Sequence, residues 1–494
     1  MWRDFIREFS LHQPHHPALL DRSTGRTLSY AQLETEIRRW AGWLHAQGVE
    51  QGDRLALLAP NRLEHLTLFF ACAKLGAMFV PLNHRLAAEE RNDLLRRVEP
   101  RLLLGVGTPP PDVSLPWQGL DSLDPPPESP FPSREIDDDQ PLLMLFTSGS
   151  TGRPKGVMLH AAMLMANMAG TVGADVLRPG DVSIVNTPFF HTGGYNVFCL
   201  PLLSIGGTLI LHERFDPGLV LREIREGGVT VFWAVPTMFQ AMQDHADFAA
   251  TDFSSIRFFL SGGAPLSPAL IQAYHRRGAP FKQGFGLTEV GPNCFLLETG
   301  EAFRRPTSIG KPMAHSRVRV VDEDGQDVGP DRVGEMLIGG PHLCQGYWRD
   351  PELFAAALRE GLFATGDLVK VDREGYFYVV GRKKEMFISG GENVYPGEVE
   401  KPLMEHPRIA QAVVVGIPHP LWGEVGLAFY VGDGDLSLAE VREFLNPRLA
   451  RYKHPFELQR LESMPLLANG KIDRPALKAL GLRRAGNDVR AATG

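Results

Sequence analysis

The 494-residue chain has few cysteines, no long apolar run and no excess of basic charge. Its four cysteines are far apart and form no C-x-x-C pair, which argues against a disulfide framework and against a cysteine metal cluster. This cysteine usage fits a reducing compartment. The 51 Lys and Arg residues against 58 Asp and Glu give a net charge of −7, which argues against a nucleic-acid partner.

Targeting and membrane signals are also missing. The N-terminus has no apolar region of the kind that marks a signal peptide. The most apolar early stretch, residues 66–82, contains Lys74 and Pro81 and is too short to cross a bilayer. We therefore expect a cytoplasmic protein without an integral membrane span.

Alternating strand and helix patterns dominate most of the chain. Ser29 and Gln32 form a capping box before a helix. Residues 54–59, 63–75 and 77–81 then read as strand, helix and strand, and further strands are expected at 208–211, 229–233 and 256–260. This order predicts an α/β fold with parallel sheets. After about Gly381 the pattern changes to that of a small α+β unit.

One loop stands out as a candidate anion site. The apolar run 142–146 predicts a buried strand, and hydroxyl and glycine residues follow it at once, with Lys155 and a helical stretch from about His160 beyond. Glycines let backbone N–H groups approach an anion, hydroxyls donate hydrogen bonds, and Lys155 adds a positive charge. The alternative is a flexible Ser/Gly surface turn. The loop residues are Thr147, Ser148, Gly149, Ser150, Thr151 and Gly152.

The loop is not the common phosphate-binding loop, because Pro154 stands where that motif needs glycine and Gly156 where it needs Ser or Thr. The string TSGSTGRPKG, residues 147–156, instead resembles the phosphate-loop signature of the adenylate-forming superfamily. Its members include acyl-CoA synthetases, peptide-synthetase adenylation domains and beetle luciferases, and the resemblance extends over essentially the whole chain.

The resemblance implies two domains. Residues 1–381 would form a large N-terminal adenylation domain that holds ATP and the acyl pocket. Residues 382–384 would be a hinge with Lys384 at its pivot. Residues 385–494 would form a smaller, mobile α+β domain that carries a catalytic lysine.

The segment FGLTE, residues 285–289, places a carboxylate beside a hydroxyl, which suits Mg²⁺ and phosphate. By resemblance, Thr288 binds phosphate, Glu289 is the metal ligand, and Phe285 stacks near adenine where the family has tyrosine. Thr365-Gly-Asp367 and Arg382 match the family's ribose clamp. The same resemblance adds to the ATP and AMP site the residues Gly263, Ala264, Pro265, Gly284 and Gly286.

Lys471 follows an Asn-Gly turn near the end of the chain. Most turn lysines are merely solvated, but this one matches the family's catalytic lysine, so Lys471, Thr288 and Glu289 are the predicted catalytic residues. Gly390 and Gly391 would let the pantetheine arm of coenzyme A pass close to the backbone. A tight glycine turn is the alternative there.

The segment PFFHTGGY, residues 188–195, resembles the family's acid-pocket motif. It holds no carboxylate that could bind an α-amino group, so an amino-acid substrate is disfavoured, and the apolar or small neighbours favour a fatty or aryl acid. The predicted acyl pocket comprises His191, Gly194, Tyr195, Trp233, Gly262 and Gly263.

The resemblance implies an ATP-dependent carboxylic acid–CoA ligase. It would form acyl-AMP and pyrophosphate, then acyl-CoA and AMP, with ATP, Mg²⁺ and coenzyme A, and it could form a homodimer. One alternative is an acyl-AMP ligase that loads a free-standing carrier protein. A second is a nucleotide-binding regulator without catalysis, and a luciferase-like oxygenase is a distant third.

Overall fold

A computed structural model describes residues 2–109, 115–123, 127–147, 154–174, 176–264, 266–389, 392–467 and 470–492. The helices are α1 Phe5–His12, α2 Tyr30–Ala46, α3 Glu64–Leu75, α4 Ala88–Val98, α5 Ala161–Gly173, α6 Cys199–Leu203, α7 Pro217–Glu226, α8 Pro236–Asp244, α9 Pro268–Arg276, α10 Thr299–Arg304, α11 Pro351–Ala356, α12 Pro396–Leu403, α13 Leu438–Leu445 and α14 Arg474–Ala492. The predicted capping box is present at the start of α2.

The strands up to the middle of the chain are β1 Pro17–Asp21, β2 Arg26–Ser29, β3 Arg54–Leu58, β4 Met78–Leu82, β5 Leu102–Gly105, β6 Trp117–Gly119, β7 Pro141–Thr147, β8 Lys155–His160, β9 Val182–Val185, β10 Thr208–Leu211, β11 Val231–Ala234, β12 Phe258–Ser261 and β13 Phe281–Gln283. The later strands are β14 Phe295–Leu296, β15 Lys311–Pro312, β16 Arg317–Val321, β17 Val333–Gly339, β18 Gly346–Tyr347, β19 Leu358–Arg359, β20 Leu362–Val371, β21 Phe377–Arg382, β22 Phe387–Ser389, β23 Glu392–Val394, β24 Ile409–His419, β25 Gly423–Gly432 and β26 Glu457–Arg460.

The largest sheet has the strand order β18-β8-β7-β4-β3-β5-β6. From β7 to β6 the strands are parallel, as the alternating pattern predicted. The prediction that a helix follows the Ser/Gly loop from about His160 omitted a strand: β8 returns antiparallel to β7, and α5 begins only after it. The loop therefore connects two hydrogen-bonded strands, with Thr147 directly opposite Lys155.

Two further sheets are built mainly of parallel strands. Strands β2-β1-β10-β9 form one sheet, in which only the β1–β2 pair is antiparallel. Strands β11-β12-β13 form the other, wholly parallel, sheet. The aromatic core beside β11–β13 includes Phe232, Phe239, Phe259 and Tyr274, and it fixes the strand ends that are described below.

Antiparallel pairing takes over in the last third of the chain. Strand β20 lies between β17 and β21, and this sheet also contains β16 and β19. After β21 comes a short 3₁₀ turn, Lys383–Glu385, and then a separate sheet of β23-β22-β25-β24 with β26 beside β25. Helix α12, helix α13 and this sheet enclose their own apolar cluster, which includes Phe387, Val399 and Leu445.

The result is a large N-terminal domain of mixed sheets and helices and a smaller α+β C-terminal domain, as predicted. The limits given above for the hinge and the two domains stay a prediction. Within the described ranges, no helix is long and apolar enough to cross a bilayer.

Candidate active site

Asp367 and Arg382, predicted as a ribose clamp, face each other on neighbouring strands. The two residues are register partners in the antiparallel β20–β21 pair. Arg382 Nε lies 2.8 Å from Asp367 Oδ1, and Arg382 Nη1 donates a hydrogen bond of 3.0 Å to the Thr365 carbonyl. The strand register therefore joins residues that are fifteen positions apart in the sequence.

The Asp367 carboxylate is buried, with 4% of its surface exposed, and its Oδ2 accepts no hydrogen bond from any described residue. Burial raises the pKa of Asp367 to about 6, although the Arg382 guanidinium opposes the shift. A buried oxygen without a donor is unfavourable in the free protein. It is suited to accept hydrogen bonds from a ligand such as a ribose, which offers two hydroxyls.

Lys471 reaches the same place from the loop before α14. Its Cε lies 3.6 Å from the position that a Cβ on Gly263 would occupy, and its Nζ lies 3.9 Å from that position. Lys471 is exposed to solvent by its surface area, yet the protein around it lowers its pKa through desolvation and then the Arg382 charge. The charges of Asp367 and Glu289 oppose this shift. A cation from the small domain thus lies beside two carboxylates of the large one.

The segment around Glu289 is a tight loop between β13 and β14. Leu287 N donates to the Gly291 carbonyl at 3.1 Å, and a Cβ on Gly286 would lie 2.3 Å from Pro292, so only glycine fits there. The Glu289 carbonyl accepts a bond of 2.8 Å from Cys344 N, and its Oε1 accepts one of 3.0 Å from the Tyr347 hydroxyl.

The Glu289 carboxylate suits a Mg²⁺ ion that is bound by the protein and by a nucleotide together. Magnesium commonly takes one or two protein carboxylates and fills its other positions with water and substrate phosphate oxygens. In the described part of the chain, no group of three or more His, Cys, Asp or Glu side chains could hold a metal by itself. Glu289 would therefore supply a protein oxygen to a metal that the polyphosphate also binds.

The parallel sheet β11–β13 brings three predicted segments to one edge. Ala234, Ser261 and Gln283 lie side by side at the carboxyl ends of these strands. Trp233, Gly262 and Gly284 therefore meet there, and Gly284 N donates to the Ser261 carbonyl at 2.7 Å. Crevices at the carboxyl ends of parallel strands are where ligands bind in α/β proteins.

Trp233 forms a flat wall at this edge. Its Nε1 donates a hydrogen bond of 3.0 Å to the Gly193 carbonyl. A Cβ on Gly193 would lie 2.7 Å from the Trp233 Cζ2 atom, and one on Gly262 would lie 3.3 Å from Cζ3. Both glycines therefore make room for the indole. The indole contacts the 188–195 segment at Gly193 and the carboxyl end of β12 at Gly262.

The remaining predicted pocket residue beside this wall is His191. Its Nε2 is buried and has no hydrogen-bond partner among the described residues. Burial, and then the positive charges of Lys471 and Arg85, lower the pKa of His191 to about 4. The imidazole is therefore neutral at pH 7, and its free nitrogen is available to a ligand.

This geometry can be compared with known proteins. Residues 6–348 match the family described as AMP-binding enzyme, and residues 398–471 match the C-terminal domain of AMP-binding enzymes. The chain belongs to the AMP-binding enzyme family.

Relatives of this AMP-binding enzyme include a CoA synthase and a CoA ligase. It is 39% identical over 474 residues to a feruloyl-CoA synthase of an Amycolatopsis species, covering 93% of this chain and 94% of the relative. It is 37% identical over 484 residues to the indoleacetate–CoA ligase of Aromatoleum aromaticum, with the same coverage. The o-succinylbenzoate coenzyme A synthetase of Bacillus subtilis, solved with ATP and a magnesium ion, superposes with a TM-score of 0.86 at 29% identity, covering 96% of this chain and 99% of the other.

Two predicted pocket residues of the AMP-binding enzyme do not face the pocket. Gly194 is buried, and a Cβ there would lie 2.7 Å from the Pro188 carbonyl oxygen. Tyr195 has no exposed surface; its hydroxyl donates to the His65 carbonyl at 2.9 Å and its ring packs against Phe189. The π-helical turn Gly193–Val197 directs them into the core, where they support the wall from behind.

The other predicted residues of the nucleotide site, the hinge and the CoA path are either described by the structure or lie outside the residues that it describes. Phe285 and Thr288 are half-buried, with the Phe285 ring edge-to-face with Phe295 at 5.7 Å, while Ala264 is exposed beside Gly263. Lys384 is exposed in the 3₁₀ turn that follows β21. The predictions that lie outside the described residues are Ser148, Gly149, Ser150, Thr151, Gly152, Pro265, Gly390 and Gly391.

Tyr347 contacts two predicted site residues, although no pattern in the sequence predicted it. Besides its hydrogen bond to Glu289, its ring lies 4.8 Å from the Lys155 ammonium. Local sequence gives no signal for this role, because β18 is only two residues long and its partner β8 lies about 190 positions earlier.

Proposed function

We propose that this AMP-binding enzyme is an ATP-dependent acid–CoA ligase that prefers an aryl or arylalkyl carboxylic acid. In the first step a carboxylate oxygen attacks the α-phosphorus of ATP, and the bond to pyrophosphate breaks. In the second step the CoA sulfur attacks the acyl carbonyl, AMP leaves with the bonding pair, and the thiol proton passes to solvent.

The observation that carries the proposal is the position of Lys471. It is close enough to the Asp367–Arg382 pair, which suits a ribose, for both charges to shift its pKa. It also lies next to Gly263, whose neighbour Gly262 borders the Trp233 wall. An incoming carboxylate and an α-phosphate repel each other by roughly 4 kcal/mol at about 4 Å and an effective dielectric constant near 20. A cation at this junction offsets a comparable amount, which corresponds to about three decades of rate.

The polyphosphate end of ATP would lie toward Lys155, Thr147 and the loop 148–152, with Thr288 as a further donor. Mg²⁺ held by Glu289 would neutralise charge on the departing pyrophosphate. The support is the chain of contacts from Lys155 through Tyr347 to Glu289. Gly390 and Gly391 are proposed to border the pantetheine path.

The proposed second step requires the small domain to turn about Lys384, so that Lys471 leaves and CoA enters. Two features support this part. The 3₁₀ turn that holds Lys384 joins two sheets that do not pair with each other, and the small domain has its own apolar core.

The proposed preference of the enzyme for an aryl acid rests on the planar wall that Trp233 forms. Trp233 presents a planar face, and its indole fills the space that Gly193 and Gly262 leave open. The neutral His191 adds a ring nitrogen that has no hydrogen-bond partner among the described residues and no charge. A planar acid can stack on such a surface. Feruloyl and indoleacetyl groups, named for the two relatives, are both aromatic.

A cytoplasmic location and a homodimeric state are also part of the proposal. The four cysteines are buried free thiols, which fits a reducing compartment. Sedimentation at several protein concentrations tests the dimer, and cell fractionation tests the location.

The experiment that tests the function measures pyrophosphate, AMP and thioester formation across matched aryl, arylalkyl and linear fatty acids, with and without CoA. We expect CoA-dependent thioester and equal amounts of AMP, with aryl acids turned over at the highest kcat/KM. Adenylate that accumulates and is not converted by CoA would point to a carrier protein. ATP binding without pyrophosphate release from any acid would contradict the proposal.

A further inference from the structure

Tyr347 touches both Lys155 and Glu289. Its hydroxyl donates a hydrogen bond of 3.0 Å to Glu289 Oε1, and the Lys155 ammonium lies over its ring at 4.8 Å from the centroid. The two contacted residues come from distant parts of the chain. One borders the Ser/Gly loop and the other lies in the 287–291 turn.

The backbone of β18 fixes the place of this ring. Tyr347 is the register partner of Val157 on β8, and Trp348 N donates to the Gly156 carbonyl at 2.7 Å. Side chains two positions apart on a strand share a face, so Lys155 projects on the same side as Val157 and can meet the diagonal Tyr347. The ring of Phe354 also packs edge-to-face with Tyr347, at 5.4 Å between the ring centroids.

The hydroxyl is held as a donor. Tyr347 is 3% exposed, and an ionised carboxylate can only accept a hydrogen bond, so the phenol is the donor of this pair. The proton therefore stays on the phenol and points at Oε1. This hydrogen bond engages Oε1 and so fixes the rotation of the carboxylate.

We propose that Tyr347 is a positioning residue that holds Glu289 for Mg²⁺ and Lys155 for the polyphosphate of ATP. The inference rests on the proposed function for the roles of those two residues. The hydroxyl acts on the metal ligand and the ring acts on the lysine, so the two contributions can be separated by substitution.

The separation uses Tyr347→Phe, which removes only the hydroxyl, and Tyr347→Leu, which also removes the ring. The control is Tyr274→Phe, which removes another buried tyrosine hydroxyl. That hydroxyl donates to the Phe239 carbonyl at 2.9 Å in the core beside β11–β13, away from Glu289. All three variants are compared with the wild type by thermal unfolding, so that a folding defect is visible.

The first readout is binding of Mn²⁺ to the protein–ATP complex, followed by electron paramagnetic resonance. The second is calorimetric binding of ATP without metal. Loss of a residue that orients a metal ligand typically weakens metal affinity by about 10- to 100-fold. We expect that range for Tyr347→Phe, with metal-free ATP affinity within about twofold of the wild type. Tyr347→Leu should weaken metal-free ATP binding as well, and Tyr274→Phe should change neither.

Unchanged Mn²⁺ affinity in a folded Tyr347→Phe variant would overturn the inference, and so would an equal loss of ATP affinity with and without metal. A wild-type protein that binds ATP and Mn²⁺ but activates no acid would defeat the proposed function and leave this inference standing. A wild-type protein without ATP-dependent Mn²⁺ binding would overturn this inference even if acid activation were observed.

Discussion

Replacing Asp367 by Asn should make the free protein more stable and at the same time weaken nucleotide binding. The carboxylate is 4% exposed, and burial raises its pKa from 3.8 to about 6. The folded protein therefore holds the proton more tightly than the unfolded chain does. The free energy of unfolding consequently falls as pH rises from about 4 to about 6, and the loss persists at higher pH.

The size of this effect follows from the two pKa values. A difference of about two pH units corresponds to roughly 3 kcal/mol. The amide that Asp367→Asn introduces cannot ionise, so the variant lacks this loss. Its stability relative to the wild type should rise by up to about 3 kcal/mol between pH 4 and pH 7. The Arg382 side chain that the substitution leaves behind is 38% exposed and can be solvated.

The assay is denaturant unfolding of both proteins at several pH values, paired with calorimetric ATP binding at about pH 7.5. Hydrogen bonds to a charged group contribute about 1.5–3 kcal/mol each, so we expect ATP to bind at least about tenfold more weakly to Asp367→Asn. A stability difference that does not change between pH 4 and pH 7 would refute the electrostatic reasoning. Unchanged ATP affinity would refute the ribose assignment.

Two further substitutions test the acid pocket and the docking of the small domain. Trp233→Ala should remove the flat wall, since the indole fills the space beside Gly193. We expect the ratio of kcat/KM for aryl acids to kcat/KM for longer acids to fall by about tenfold or more. An unchanged ranking of the acids would contradict this. Gly397→Ala should slow acyl-AMP formation more than thioester formation, because a Cβ there would lie 2.3 Å from the Val380 carbonyl oxygen. The control is Gly329→Ala, because a Cβ there meets nothing within 4 Å. If Gly397→Ala slowed both steps equally, its contact with Val380 would not serve the docking of the small domain for acyl-AMP formation.

Local sequence predicted the elements whose signals lie within a few residues. The β10 strand, the capping box before α2 and the change to an α+β pattern near Gly381 follow from hydrophobic periodicity and capping chemistry. Strand β8 was missed because its six residues lie directly before α5, and only its pairing with β7 distinguishes it from the start of the helix.

The motifs were a better guide to which segments of the chain meet at the site than to which side chains of those segments face it. Asp367 and Arg382 came from separate motifs, and strand register brings them together. Tyr195 lies in a matching motif but points into the core, because the π-helical turn rotates it away from the cleft. Tyr347 could not be predicted, since its role depends on a pairing between β18 and β8 that is set by the whole sheet.

The central claim is that Lys471 serves the formation of acyl-AMP. The most direct test measures the two half-reactions of Lys471→Ala separately: pyrophosphate release from ATP and acid, and thioester formation from supplied acyl-AMP and CoA. We expect the first to fall by about a thousandfold while the second stays within a few-fold of the wild type. An equal loss in both half-reactions, in a variant that unfolds at the wild-type temperature, would contradict it.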